Sequence, residues 1–221
     1  SEQLAAIMQA PEFAKLEGTW RGLNYLVKNS ETSVNLKIRV MNAGKRELAR
    51  DLEKAVEFDQ SRLFKAIYED EFGTPGGEPL GAIIGDYEFD NSFDDVQLLQ
   101  GVSSIAAAAF APFISAASPR MFGFEDYRDL ARPRDLEKIF DTVEYAKWRS
   151  FRESDDSRFV TLALPRVLAR MPYGPKTNPI DDFAYDETKG AVNGDLQHDE
   201  YCWMNAAYVM GTKLTDAFAK S

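Results

Sequence analysis

His198 and Cys202 are the residues of this sequence best suited to nucleophilic catalysis, and each is the single member of its type. A Ser–His–acid arrangement would have to use His198, but no Gly-x-Ser-x-Gly turn follows any predicted strand. A Cys–His pair would use Cys202, which lies between Tyr201 and Trp203 where a helix is predicted to start, a setting typical of a small buried thiol. We therefore expect no enzyme. A small hydrolase that uses His198 with Cys202 or an acid is the less favoured alternative.

Metal and phosphate sites are not indicated by the residue pattern either. A structural zinc site needs four Cys or His ligands, and this sequence has one residue of each type. Acidic pairs at 94–95, 155–156 and 181–182 lack the Asp-x-Asp-x-Asp-Gly spacing of a calcium loop. The glycines at 73–81 precede a strand instead of opening a helix, so they do not form a phosphate loop. We expect no catalytic residue, no metal and no cofactor.

The densest charge pattern lies in the stretch 148–158. Its six candidate interface or bracing charges are Arg149, Arg152, Glu153, Asp155, Asp156 and Arg158. These groups could form ion pairs with one another, or the guanidinium groups could present forked donors to carboxylates of a partner. A solvated surface with little energetic role is the plainer alternative.

Composition narrows the class of protein. The chain has 221 residues, of which 26 are Lys or Arg and 36 are Asp or Glu, so the formal net charge is 26 − 36 = −10. Such an excess of acid disfavours nucleic-acid binding, because the phosphate backbone would be repelled. No apolar run approaches the roughly 18 residues of a membrane span, and the single cysteine fits a reducing compartment. These features favour a folded protein of the cytoplasm without membrane insertion.

Apolar periodicity predicts the elements that must position these groups. Helices are predicted over 1–30 with a break at Pro11, over 45–72 with Asp59 or Ser61 as an internal cap, over 94–110 with Ser92 or Asn91 as its cap, and over 124–131, 134–153 and 201–219. Strands are predicted at 34–40, 80–85, 112–117 and 159–164. The alternation of strands and helices indicates a three-layer α/β fold with a mostly parallel or mixed central sheet of about four or more strands flanked by helices.

Domain boundaries follow from the same pattern. We expect an N-terminal helical segment over 1–30 and a single α/β body domain over 31–221. Residues 172–200 are rich in Pro, Gly, Asn and Asp, so they are predicted to form a long loop excursion, either ordered or partly mobile.

Several longer motifs, taken together and in order, resemble a known family. They are LEGTWRGL at 16–23, LKIRV at 36–40, GGEPLG at 76–81, GDY at 85–87, APFI at 111–114, WRSFRESDDSR at 148–158 and PRVLARMPYG at 165–174. Over about residues 12–218 the sequence is similar to the large subunit of the type VI secretion contractile sheath, the TssC/VipB family. Family members are longer on both sides, so the resemblance implies a central fragment of such a subunit.

The resemblance implies a structural role in bacterial protein secretion. Its expected partners are the small sheath subunit (TssB/VipA), other copies of the sheath heterodimer, the Hcp inner tube and a ClpV-type ATPase for disassembly. Contraction of the sheath around Hcp would drive effector delivery. This interpretation favours the hypothesis that the charges at 148–158 form a subunit contact or a bracing network. An adaptor domain that binds a protein partner is the alternative from another class.

Overall fold

The computed structural model describes residues 2–182, 184–189 and 196–220. These residues form two compact units. We call the first the terminal unit, which comprises Ser1–Leu36 and Arg166–Ser221, and the second the central unit, which comprises Lys37–Pro165. The beginning and the end of the sequence therefore fold together, and the central unit is inserted between them in sequence.

Helices and strands occur in both units of the described chain. The α-helices are α1 (Glu2–Met8), α2 (Pro11–Lys28), α3 (Lys45–Lys54), α4 (Arg62–Phe64), α5 (Phe93–Ala108), α6 (Ala146–Arg152) and α7 (Ala206–Ala219). The strands are β1 (Ile83–Phe89), β2 (Phe113–Ala117), β3 (Val160–Ala163), β4 (Val167–Leu168) and β5 (Trp203–Met204). Across the described ranges, no helix is both long enough and apolar enough to cross a membrane.

The central unit is built on a parallel sheet in the order β1-β2-β3. Ile84 of β1 pairs with Ile114 of β2, and Ile114 pairs in turn with Thr161 of β3. Every residue of β2 is buried, which is typical of a strand covered on both faces. The predicted α/β class is confirmed. This sheet has three strands among the described residues, fewer than the four or more that we expected.

Helix α5 supplies much of the hydrophobic core of the central unit. Leu99, Ile105 and Ala106 on this helix are almost completely buried. The hydroxyl of Ser92 accepts a hydrogen bond from the backbone N–H of Asp95, as predicted for the cap that begins the helix. The apolar and small residues that predicted this helix therefore form the face that packs in the core.

The predicted strand at 34–40 is wrong. The structure has no strand there, and Val34 and Val40 are 86% and 70% exposed. Alternation of apolar and polar residues stabilises a strand only when a neighbouring strand pairs with it. Within this segment, Arg39 instead forms an ion pair with Glu78 at 2.7 Å and another with Glu71. Such side-chain ion pairs can form without the regular backbone of a strand.

Two predicted helices are shorter than expected. In place of helices at 124–131 and 134–153, the structure has 3-10 turns at Tyr127–Ala131, Glu137–Asp141 and Val143–Tyr145, and only α6 is α-helical. Arg132 keeps helical dihedrals, but Pro133 after it has no backbone N–H with which to continue a helix, which explains part of this break. The helix predicted from residue 201 begins at Ala206. Its start is fixed by Asn205, whose Oδ1 accepts the N–H of Ala207 at 2.8 Å.

Two predicted boundaries are confirmed. Pro11 separates α1 from α2 and occupies the first position of α2. An N–H at that position would have no acceptor within the helix, so proline loses no helical hydrogen bond there. Of the two candidate caps, the structure uses Ser61, whose Oγ accepts the N–H of Phe64 at 3.0 Å. Local sequence therefore determined where these helices begin.

The terminal unit combines α2 and α7 with a short antiparallel ladder formed by β4 and β5. Val167 pairs with Met204 in that ladder. The excursion predicted at 172–200 lies in this unit, and its residues 183 and 190–195 are outside the described part. Within the described part, Tyr185 and Glu187 are buried. These portions of the excursion are therefore packed against the unit.

Candidate functional site

The six predicted interface or bracing charges lie on α6 and in the turn that follows it. The exposed members are Arg152, Glu153, Asp155 and Arg158, and the half-buried members are Arg149 and Asp156. No ion pair joins any two of the six within the described residues. The stretch therefore does not form an internal ion-pair network there.

The two half-buried charges bond to other parts of the central unit. Nη1 of Arg149 donates to the carbonyl oxygens of Phe140 and Thr142, the latter at 2.6 Å. Asp156 Oδ2 accepts a hydrogen bond from the Ser104 hydroxyl of α5 at 2.9 Å. These contacts join α6 and its following turn to neighbouring segments. An interface role for the four exposed charges stays a prediction.

A second cluster of charges, which no local sequence pattern indicates, lies inside the terminal unit around Arg170. Nε and Nη2 of Arg170 donate to the two carboxylate oxygens of Glu17 at 2.6 and 3.0 Å. Nη1 and Nη2 also donate to the two oxygens of Glu187 at 2.7 and 3.2 Å. The side chains of Arg170 and Glu187 are only 5% and 2% exposed. One guanidinium thus binds two carboxylates in bidentate fashion.

Arg21 and Tyr173 complete the Arg170 cluster. Nε of Arg21 donates to Glu17 at 2.7 Å, and its Nη2 donates to the Tyr173 hydroxyl at 2.7 Å. The ring of Tyr173 lies 4.3 Å from the Arg170 guanidinium carbon. The backbone N–H of Tyr173 donates to the carboxylate of Glu187 at 2.9 Å. Two arginines therefore balance two glutamates, which is the condition for burying such charges.

The cluster changes the protonation of its members. Burial alone would raise the pKa of Glu17, but hydrogen bonds from Arg170 and Arg21 outweigh burial and lower the pKa below its ordinary value. Burial alone would lower the pKa of Arg170, yet its bonds to the two glutamates raise it instead. Both groups therefore stay charged at neutral pH, and neither is suited to proton transfer.

Helix α2 contributes Glu17 and Arg21, and the glycines between and beside them allow its close approach to neighbouring elements. A Cβ placed on Gly18 would lie 2.0 Å from the Trp203 carbonyl oxygen of β5. A Cβ on Gly22 would lie 2.2 Å from the ring of Tyr208 on α7. The two glycines are four residues apart and share one helix face. The motif LEGTWRGL therefore positions charges and close contacts on one helix.

The other side of α2 presents apolar residues to solvent. They follow one another at intervals of three and four, and they are Phe13, Leu16, Trp20, Leu23 and Val27. Leu23 is half-buried and the other four are exposed, with Trp20 62% exposed. This spacing averages 3.5 residues, which is the repeat with which one helix packs along another. We refer to these five residues as the α2 stripe.

His198 and Cys202 also lie in the terminal unit. Nδ1 of His198 is 2.8 Å from Nη2 of Arg166, and its ring lies 4.7 Å from that of Trp203. Cys202 is buried, and burial raises the pKa of its thiol to about 11. A thiol with this pKa is protonated at neutral pH and is a poor nucleophile. The geometry therefore favours the structural role that the sequence indicated for Cys202.

Comparison with known proteins gives two findings. The family model for VipB, described as the EvpB/VC_A0108 tail sheath N-terminal domain, matches residues 1–221. A curated relative is the type VI secretion system sheath protein TssC1 of Pseudomonas aeruginosa (strain PAO1), which is 50% identical over 219 residues. The match covers 98% of this chain and 43% of that relative. The chain therefore spans less than half the length of the curated relative that it matches.

Proposed function

The chain belongs to the VipB (EvpB/VC_A0108) tail sheath family, and from this premise we propose that it is the body of the large subunit of a bacterial type VI secretion contractile sheath. The observation that carries the proposal is the family match over the whole chain. The subunit pairs with the small sheath subunit, TssB/VipA, and copies of this heterodimer assemble into a tubular sheath. Its function is mechanical, and it works in the bacterial cytoplasm.

Two further partners belong to the same proposal. The sheath surrounds the Hcp tube, and its contraction drives effector delivery. A ClpV-type ATPase disassembles the contracted sheath, so the chemistry of ATP hydrolysis lies in that partner. We assign no reaction to His198 or Cys202, because the protonated, buried thiol of Cys202 suits packing better than catalysis.

We propose the α2 stripe as a contact surface for the small sheath subunit. Exposed apolar residues at helical spacing are costly in a monomer and are typical of interaction surfaces. The face of α2 that carries Gly18 and Gly22 is already packed, so the α2 stripe is free for an amphipathic helix. The exposed charges at the end of α6 and in the turn after it, including Arg152 and Asp155, would then fix register in contacts between subunits.

Co-purification with the small sheath subunit tests both the function and the surface. The large subunit is tested in two forms, as the 221-residue chain and as the longer sheath protein that contains it. In each form, the substitution Trp20→Glu places a charge in the centre of the α2 stripe. Val143→Glu is the matched control, because Val143 is an apolar residue of the central unit and is 87% exposed.

The proposal predicts that the longer protein binds the small subunit, that Trp20→Glu weakens this binding at least about tenfold, and that Val143→Glu leaves it unchanged. A tenfold loss corresponds to about 1.4 kcal/mol, a modest cost for a charge in an apolar contact. Equal binding by the unsubstituted longer protein and by its Trp20→Glu and Val143→Glu variants would show that the α2 stripe is not part of the interface. Absence of binding by the unsubstituted longer protein would contradict the sheath function and favour the adaptor alternative.

A further inference from the structure

Residues 171–182 and 184–189 of the terminal unit, which we call the strap, contain no helix and no strand apart from isolated bridges. Within the strap, Tyr173 and Gly174 form bridges with Asn178. The N–H of Glu187 donates to the carbonyl of Tyr173 at 2.8 Å, which closes the strap on itself. Such a segment lacks the repeated hydrogen bonds of a sheet, so its position depends on its contacts with other elements.

The contacts between the strap and those elements are largely polar. Glu187 binds Arg170 through two hydrogen bonds, and the Tyr173 hydroxyl accepts a bond from Arg21 of α2. The side-chain amide of Gln9 donates to the carbonyl of Glu187 at 3.4 Å. Tyr185 adds a buried ring. Charge-assisted bonds therefore contribute much of what holds the strap.

Helix α2 is held differently. Gly18 and Gly22 bring it into direct contact with Trp203 of β5 and Tyr208 of α7, and these contacts do not involve the strap. Loss of the bonds between Arg170 and Glu187 would leave that packing in place. The strap and the helices can therefore respond separately to a change in the cluster.

Arg170 has two carboxylate partners, and only one of them belongs to the strap. If the strap moves away, Glu187 enters water while Arg170 keeps its bidentate pair with Glu17. The open state then contains no unpaired buried charge, which is the main penalty for breaking a buried ion pair. We propose that Arg170 and Glu187 form a latch, and that the strap opens as a unit while α2, α7, β4 and β5 stay folded.

Hydrogen exchange of backbone amides, measured by mass spectrometry on the 221-residue chain, tests the latch. Glu187→Gln keeps the size of the side chain and removes its charge, and it leaves Arg170 paired with Glu17. The matched control is Asp216→Asn, which breaks the exposed ion pair with Lys220 in the same unit. The latch predicts that Glu187→Gln speeds exchange in the strap about ten- to hundredfold, with α2 and α7 unchanged, and that the control changes neither.

Two outcomes of this comparison would overturn the proposal. One is equal acceleration in the strap, α2 and α7, which would show that the terminal unit opens only as a whole. The other is unchanged exchange in the strap. Because this proposal concerns internal contacts of the terminal unit, the result of the exchange experiment does not depend on binding to the small sheath subunit.

A second measurement uses the unsubstituted chain and does not depend on the folding of a variant. Exchange is followed at increasing urea concentrations below the unfolding transition. The latch predicts that the strap amides of Tyr173, Asn178 and Glu187 open at lower urea than the amides of α2. A single shared dependence on urea for the strap and α2 would contradict it.

Discussion

The two units of this chain are stabilised by different interactions. The central unit has a fully buried parallel strand, β2, and a helix, α5, whose Leu99 and Ile105 are almost completely buried. The terminal unit instead buries an arginine between two glutamates, next to a helix that approaches its neighbours through glycines. Apolar packing tolerates changes of side chain that conserve volume, whereas a buried charge cluster depends on each of its partners.

The largest expected effect comes from Arg170→Met in the terminal unit. This change removes the shared partner of Glu17 and Glu187 and leaves Glu17 half-buried with Arg21 alone, so we expect a loss of about 3–5 kcal/mol in the free energy of unfolding. Leu99→Ala in the central unit should cost a similar amount, about 2–5 kcal/mol, by opening a cavity. Urea unfolding followed by far-UV circular dichroism measures both losses.

Rescue distinguishes the two kinds of core. The triple variant Arg170→Met, Glu17→Leu and Glu187→Leu replaces the charges by apolar groups and should recover most of the stability that Arg170→Met loses. If the triple variant is less stable than the single one, the cluster is held by packing and not by charge balance, and the contrast between the units is incorrect.

A smaller effect is expected from the glycines. Gly18→Ala places a methyl group 2.0 Å from the backbone of Trp203, so we expect a loss of about 1–3 kcal/mol. Gly81→Ala in the central unit is the matched control, since a Cβ at this position would have no heavy atom within 4 Å. The control should be neutral or more stable by up to about 1 kcal/mol. A neutral Gly18→Ala, measured by the same unfolding assay, would show that α2 can move away from β5.

The smallest effect is a difference in pH dependence. The pKa of Glu17 lies below its unfolded value of 4.5, because its bonds to Arg170 and Arg21 outweigh burial. Its contribution to stability is therefore present above pH 4.5 and is lost as the pH falls through the folded pKa. Asp95 of the central unit has the opposite shift, since burial raises its pKa despite its bond to Lys45.

Unfolding free energies measured between pH 3 and pH 6 test these two signs. Glu17→Gln should flatten the decline of stability as the pH falls, because it removes a group that favours the folded state above pH 4.5. Asp95→Asn should steepen the decline, because it removes an opposing contribution. The same change of slope for both variants would contradict the assignment of opposite shifts.

The two units also differ in how well the sequence predicts them. The apolar run that contains Phe113–Ala117 and the capped helix after Ser92 follow from local residue patterns, and both are confirmed. The strand predicted at 34–40 is wrong because alternation does not reveal whether a partner strand exists. The class of the fold was therefore predictable, but the number of strands in the sheet was not.

Local sequence patterns do not predict the Arg170 cluster. Glu17 and Arg170 are 153 positions apart in sequence, and nothing in either local pattern indicates that they meet. Both residues do lie in motifs that carry the family resemblance, LEGTWRGL and PRVLARMPYG, which is the one signal that pointed to them. The charges at 148–158 were visible because they are dense in sequence, yet four of the six are exposed and their role in an interface stays a prediction.

Negative-stain electron microscopy of the longer sheath protein, mixed with the small sheath subunit, tests the central claim most directly. If this chain is the body of a large sheath subunit, the mixture forms tubules of uniform diameter, and Trp20→Glu in the same protein reduces their number. Separate soluble proteins without tubules, from partners that are each folded, would contradict the account.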